Sequence, residues 1–140
     1  PNSKYEIDII TKIQIIKNNI ADHKLNTAKY YIDKKNKEAS LIYLKDIYKN
    51  YRNSVYIAET LYLLTKIYYS LDEKEIAKEY AAILAYNFPE SFWYEKSYNI
   101  LNNLEINEIE QKWYEKFNPI KILARDKEKN YNNTSIKSLE

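Results

Sequence analysis

Chemistry in this chain would have to come from carboxylates, serines, lysines or one histidine, because its 140 residues include no cysteine and no glycine. Without cysteine there is no disulfide, no thiolate nucleophile and no Cys-based zinc site. His23 stands alone, so a multi-histidine metal site cannot be assembled, and it reads as a residue on the flank of a helix. Phosphate-binding loops, dinucleotide fingerprints and nucleophile elbows all need glycine for positive φ or close backbone approach. Carboxylate pairs or a Ser/Lys dyad remain, and no pocket-forming motif accompanies either. The expectation is no catalytic residue, no metal site and no cofactor: not an enzyme.

Recognition chemistry is better represented, with 16 tyrosines and two tryptophans. At helical spacing such rings read first as core, since they bury large areas while keeping a polar handle. The formal charge is +2 with both signs interspersed, too even for the basic stripe of a nucleic-acid binder. No run of 18 apolar residues could span a membrane. The chain opens at Pro1-Asn2-Ser3 with no initiator methionine and no signal peptide, which suggests a fragment or a processed form.

The elements that must position these residues follow from an internal repeat. Tyr31 and Tyr68 are 37 residues apart, and at that offset Tyr43 meets Tyr80, Ile47 meets Leu84, Tyr51 meets Phe88 and Leu64 meets Leu101. Lys37/Lys74, Glu38/Glu75, Asn50/Asn87 and Ser54/Ser91 are identical pairs. Each copy reads as a helix, a polar break, a second helix and a short turn, the signature of a helical-repeat solenoid.

Ser3 with Glu6 forms a capping box that opens a helix over residues 4–34. Its stripe of Ile9, Ile13, Ile16 and Ile20 hands over to Ala21, Leu25, Ala28 and Ile32, so the helix should serve two neighbours in turn. A polar break over 33–37 precedes a second helix, near 37–50, with Ser40, Leu44, Ile47 and Tyr51 inward. Ser54 is expected to cap the third helix, and Asp72 with Glu75 to form a capping box for the fourth. Pro89 ends that fourth helix, and Ser91 caps a fifth through about residue 102. In this register Glu59, Tyr62, Lys66 and Tyr69 lie on the first-helix face that lines a solenoid's concave groove, with Tyr62 and Tyr69 exposed. Asp22, Leu25, Lys29 and Ile32 are the equivalents one copy earlier. A groove of mixed charge and aromatics suits a peptide or folded domain better than a phosphate backbone.

Small residues at the helix crossings, Ala28 and Ser40 in one copy and Thr65, Ala77 and Ala81 in the other, with Tyr31 and Tyr68 beside them, resemble tetratricopeptide repeats over residues 21–104. The expected organisation is a tetratricopeptide α-solenoid over 1–104, with repeats near 21–54 and 58–91 and a partial third from 92. A helical extension over 105–125 and a disordered tail over 126–140 follow.

The run Ala81-Ala82-Ile83-Leu84-Ala85-Tyr86-Asn87-Phe88-Pro89-Glu90-Ser91-Phe92-Trp93-Tyr94 resembles the C-terminal part of the BamD family. Those proteins are the tetratricopeptide lipoproteins of the outer-membrane β-barrel assembly machinery. The opening Pro1-Asn2-Ser3-Lys4-Tyr5, the Ala28-Lys29-Tyr30-Tyr31 stretch and Ala58-Glu59-Thr60-Leu61-Tyr62 fit the same family. The resemblance implies a scaffold on the periplasmic face of the outer membrane. Its implied partners are the BamA POTRA domain, other lipoproteins of the machinery and unfolded outer-membrane clients. Membrane attachment would come only through an N-terminal lipid anchor that these residues lack. Lys35 stands where bacterial members usually carry glycine, and Tyr43 where they often carry an arginine implicated in the POTRA contact. Tyr43, with Lys45 and Asp46, then offers an aromatic anchor with flanking charges. Another periplasmic tetratricopeptide adaptor, in cell division or peptidoglycan association, is the first alternative, and an RNA-binding helical repeat a remote one.

Overall fold

The structure is a computed structural model that describes residues 3–102. The expected extension over 105–125 and tail over 126–140 lie outside the described residues. Five helices follow one another: α1 (Lys4–Asp33), α2 (Lys37–Asn50), α3 (Ile57–Ser70), α4 (Lys74–Asn87) and α5 (Phe92–Leu101). No strand occurs among the described residues, and the expected all-α solenoid is what forms. Consecutive helices pack pairwise, α1 on α2 and α3 on α4; α2 then packs on α3, and α5 on both α3 and α4.

Ser3 and Glu6 form the expected capping box, with the Glu6 amide donating to Ser3 Oγ at 3.3 Å and the Ser3 amide to Glu6 Oε2 at 3.0 Å. Ser91 likewise caps α5, its hydroxyl accepting from the Tyr94 amide at 3.1 Å. Two expected caps do not form. Ser54 precedes α3 by three residues, because a turn through Tyr56 intervenes before the helix begins. The free amides of the first turn are then out of its reach, and its buried hydroxyl has no hydrogen-bond partner. Asp72 does not open α4 either; it closes α3.

Both loops that join the two helices of a repeat end the first helix through a left-handed residue, Lys35 at φ 58° and Asp72 at φ 63°. The Asn36 amide donates to Tyr31 O at 2.9 Å and the Lys35 amide to Ile32 O at 2.9 Å. One repeat on, Glu73 reaches Tyr68 O at 3.0 Å and Asp72 reaches Tyr69 O at 3.1 Å. This is the Schellman closure in both copies. An Asp72 held at positive φ cannot take the extended backbone of an N-cap, so α4 starts behind Glu73 with no side-chain cap.

The crossings are made by small residues. Ala21, Ala28, Ser40, Thr65 and Ala77 are all fully buried, which permits axes about 8–10 Å apart. Leu25, Leu44, Ile47, Leu61, Leu64 and Leu84 fill the space between them. Thr65 satisfies its hydroxyl by donating to Leu61 O at 2.9 Å. The Ser40 hydroxyl is buried without a partner, at the position Ala77 occupies in the second repeat.

The first half of α1 departs from the expectation that it serves a neighbour of its own. Gln14 donates to Asn53 O at 3.1 Å, and Asn18 Oδ1 accepts from the Val55 amide at 3.3 Å, clamping the α2–α3 turn to it. Its isoleucines, from Ile7 to Ile20, are exposed.

Ser40→Ala should stabilise the fold by about 1 kcal/mol, because it removes an unsatisfied buried hydroxyl without opening a large cavity. Lys35→Gly relieves a left-handed cost of roughly 1–2 kcal/mol, against about 0.5–1 kcal/mol of added chain entropy, so a smaller net gain is expected. Urea midpoints of the two variants against the parent chain check both.

Candidate partner-binding surface

On the α2 side, Tyr43 lies half-buried in a ring stack with Tyr31 of α1, centroids 5.8 Å apart at 16°. Its repeat mate Tyr80 stacks on Tyr68 at 5.7 Å and the same 16°. The two stacks join the first and second helix of each repeat. Tyr43 is therefore a packing residue that keeps part of its surface exposed. Burial pushes the Tyr80 hydroxyl above its ordinary range. Tyr48 and Tyr80 meet in a T-shaped contact with centroids 5.5 Å apart, and the Arg52 guanidinium lies 4.4 Å from the centre of the Tyr48 ring.

Lys45 and Asp46 are also committed within the fold. The Lys45 ammonium sits 5.6 Å over the Tyr68 ring, tying α2 to α3, and its hydrogen bond with Tyr68 holds its pKa above 10.5. Asp46 Oδ2 takes a 2.6 Å ion pair from Lys24 of α1, and Oδ1 accepts from Asn50 at 2.5 Å. The Lys24 hydrogen bond, followed by that of Asn50, lowers the Asp46 pKa below 3.8, and the same contact with Asp46 raises that of Lys24 above 10.5.

The concave face differs from expectation at two residues. Leu25 is core, 1% exposed, and Tyr62 is buried at 3%. Tyr62 is covered by α5, whose Trp93 lies 5.3 Å from it, a cover that helical spacing within α3 cannot reveal. Asp22, Lys29, Glu59, Lys66 and Tyr69 remain half-buried along the first-helix side. Lys29 and Glu59 form an ion pair between α1 and α3. At the next interface their mates, Lys66 and Lys96, carry like charges. Lys96 turns inward instead, 7% exposed, with its ammonium 5.1 Å over Tyr62, 4.8 Å over Phe92 and 5.5 Å over Trp93.

Two features escaped the sequence reading. One is the ring cage around Lys96; the Trp93 and Lys96 spacing on one helix carried a partial signal, but Tyr62 comes from another element. The other is a cleft of about 300 Å³ between α2, α3 and α4, walled by Tyr48, Arg52, Ile57, Ile83 and Phe88. Arg52 stands 37 residues before Pro89, where the second repeat ends its helix pair with proline. Among the described residues no group of three or more His, Cys, Asp and Glu is placed to hold a metal, and no helix is long and apolar enough to cross a membrane.

Against known proteins, residues 1–84 match the YfiO family, described as an outer membrane lipoprotein. The chain belongs to that family. It is 32% identical over 105 residues to the outer membrane protein assembly factor BamD of Rickettsia prowazekii, covering 75% of this chain and 42% of that protein. The BamD of Caulobacter vibrioides is 28% identical over 103 residues, 74% of this chain and 34% of the relative. That of Neisseria gonorrhoeae is 30% identical over 91 residues, 65% and 34% of the two chains. The chain thus spans between a third and somewhat over two-fifths of these relatives. No solved structure matches it.

Asp46 contributes its stabilisation fully above the unfolded carboxylate value of 3.8 and loses it as pH falls through its lower folded value. Lys24 contributes below 10.5 and loses it as pH rises through its raised value. The pair is partly solvated, so Asp46→Asn should cost under about 1 kcal/mol at neutral pH. The difference from the parent chain should vanish in acid melts below the folded pKa of Asp46.

Proposed function

We propose that this chain is a non-catalytic scaffold for outer-membrane β-barrel assembly, acting at the periplasmic face of that membrane. The observation that carries the reading is the 32% identity, over three-quarters of the chain, to a relative named as an outer membrane protein assembly factor. The repeat architecture supports it, since stacked helix pairs offer extended surfaces to protein partners.

Within that role, α2 and its flanking turns bind the POTRA domain of the barrel subunit nearest the barrel. Ile42 is 68% exposed there, beside the half-buried Tyr43, and the exposed Lys45 and Lys49 follow it one and two turns along the helix. An apolar centre with a charged rim is the layout of a modest protein interface. Asp22, Lys29, Glu59, Lys66 and Tyr69, on the concave side, are left for extended clients or other lipoproteins of the machinery.

Calorimetric titration of this chain with the POTRA domain of its own organism tests the reading. Tyr43→Ala should weaken binding by about 2 kcal/mol and also lower the melting temperature, because the Tyr31 stack is lost. Lys45→Ala should cost far less, as a rim charge does. Unaltered affinity in a folded Tyr43→Ala chain removes that residue from the contact. Absence of binding by the parent chain overturns the assignment.

A further inference from the structure

The cleft between α2, α3 and α4 is lined by buried Ile57 and Leu61 of α3 and by half-buried Tyr48, Ile83 and Phe88. At about 300 Å³ it stands at the small end of ligand sites, roughly 300–1,000 Å³. That leaves room for one apolar side chain rather than for a cofactor. Arg52 is the single charged residue lining it, and no carboxylate does. The guanidinium is held in place, since its Nε donates to Tyr48 O at 3.2 Å while its carbon lies 4.4 Å from the centre of the Tyr48 ring. Its two terminal nitrogens have no hydrogen bond or ion pair among the described residues. They form the planar fork that grips a carboxylate through two bonds.

The repeat itself does not require this pair. One copy on, Tyr48 corresponds to Ala85 and Arg52 to Pro89, so the helix pairing proceeds there with neither ring nor cation. Two amides narrow the ligand further. Asn53 of the α2–α3 turn and Asn87 at the end of α4 both line the cleft. Asn87 donates from Nδ2 to Ile83 O at 2.9 Å, which leaves its Oδ1 to accept from a ligand N–H. The Asn53 side chain has no partner among the described residues. A peptide chain running through the cleft offers the N–H and C=O groups that such amides pair with.

We propose that this cleft takes an acidic, apolar segment of a partner protein. One aliphatic side chain enters between Ile57, Ile83 and Phe88, and a neighbouring Asp or Glu side chain pairs with Arg52. The cleft borders the turn after α2, yet the proposal stands whether or not a POTRA domain binds that helix.

The test uses labelled peptides, acetylated and amidated at their ends, with a Ser-Asp-Leu-Glu-Ser centre. In one control Asn and Gln replace the two acids, and in another Ser replaces the leucine. Fluorescence anisotropy against the full chain should show the parent peptide binding at least tenfold tighter than either control, with affinity falling as salt is raised. Arg52→Gln should weaken the parent peptide at least tenfold, to the level of the Asn/Gln control. Arg52 is exposed, and an unchanged helical circular dichroism spectrum checks that the fold is kept. Lys74→Gln, which removes the same charge at the opposite end of α4, should bind as the parent chain does. Binding of either control as tightly as the parent peptide overturns the proposal, as does equal weakening by Lys74→Gln or the absence of binding by all three peptides. A peptide ending in leucine with a free carboxylate that outcompetes the amidated one also overturns it, and assigns the cleft to a chain terminus.

Discussion

The close approach of paired helices at small residues is the constraint from which the rest of this molecule follows. Ala28 on α1 and Ser40 on α2, then Thr65 on α3 and Ala77 on α4, have no exposed surface at all. A larger side chain at any of them would push the helix axes apart. With the axes close, the Tyr31–Tyr43 and Tyr68–Tyr80 rings meet at nearly the same distance and the same angle in both repeats. The agreement of the two stacks is a measure of how tightly the crossing sets its surroundings.

A chain without glycine must also turn sharply between those helices. It does so by holding Lys35 and Asp72 in the left-handed region, at equivalent places in the repeat. Asp tolerates that conformation better than Lys because its short side chain can bond locally. The hydrogen-bond closure is the same in both, so the fold accepts a local backbone cost in exchange for the helix pairing. This closure also sets where α2 begins, and with it the outward display of Ile42 and Lys45.

Charge in this protein is answered mostly by rings and near neighbours. Lys45 lies over Tyr68, Arg52 over Tyr48, and Lys96 within reach of three rings. Tyrosine abundance thus builds the interior seams of the solenoid and holds cations against them. What is left outward is a small set: the α2 edge, the partly filled concave side, and the isoleucine row on α1. These are the features on which the proposed scaffold role rests, and the chain belongs to a family described as an outer membrane lipoprotein.

The five helices of the described residues, the small-residue crossings and the caps at Ser3 and Ser91 were legible in sequence, because each rests on local spacing or on a side chain reaching its own first turn. Ser54 and Asp72 carried the same cap signal and misled, since a cap depends on where the backbone enters the helix. Ser54 is separated from α3 by a turn, and Asp72 is consumed in closing the helix before it. Tyr62 read as exposed because its own helix leaves it on an open face; only the arrival of α5, with Trp93 and Lys96, buries it. Ile9, Ile13 and Ile16 read as core for the converse reason. A periodic apolar stripe states that a helix has a face to cover. Which elements reach that face is decided by tertiary packing, and α2 packs on α1 without covering those isoleucines.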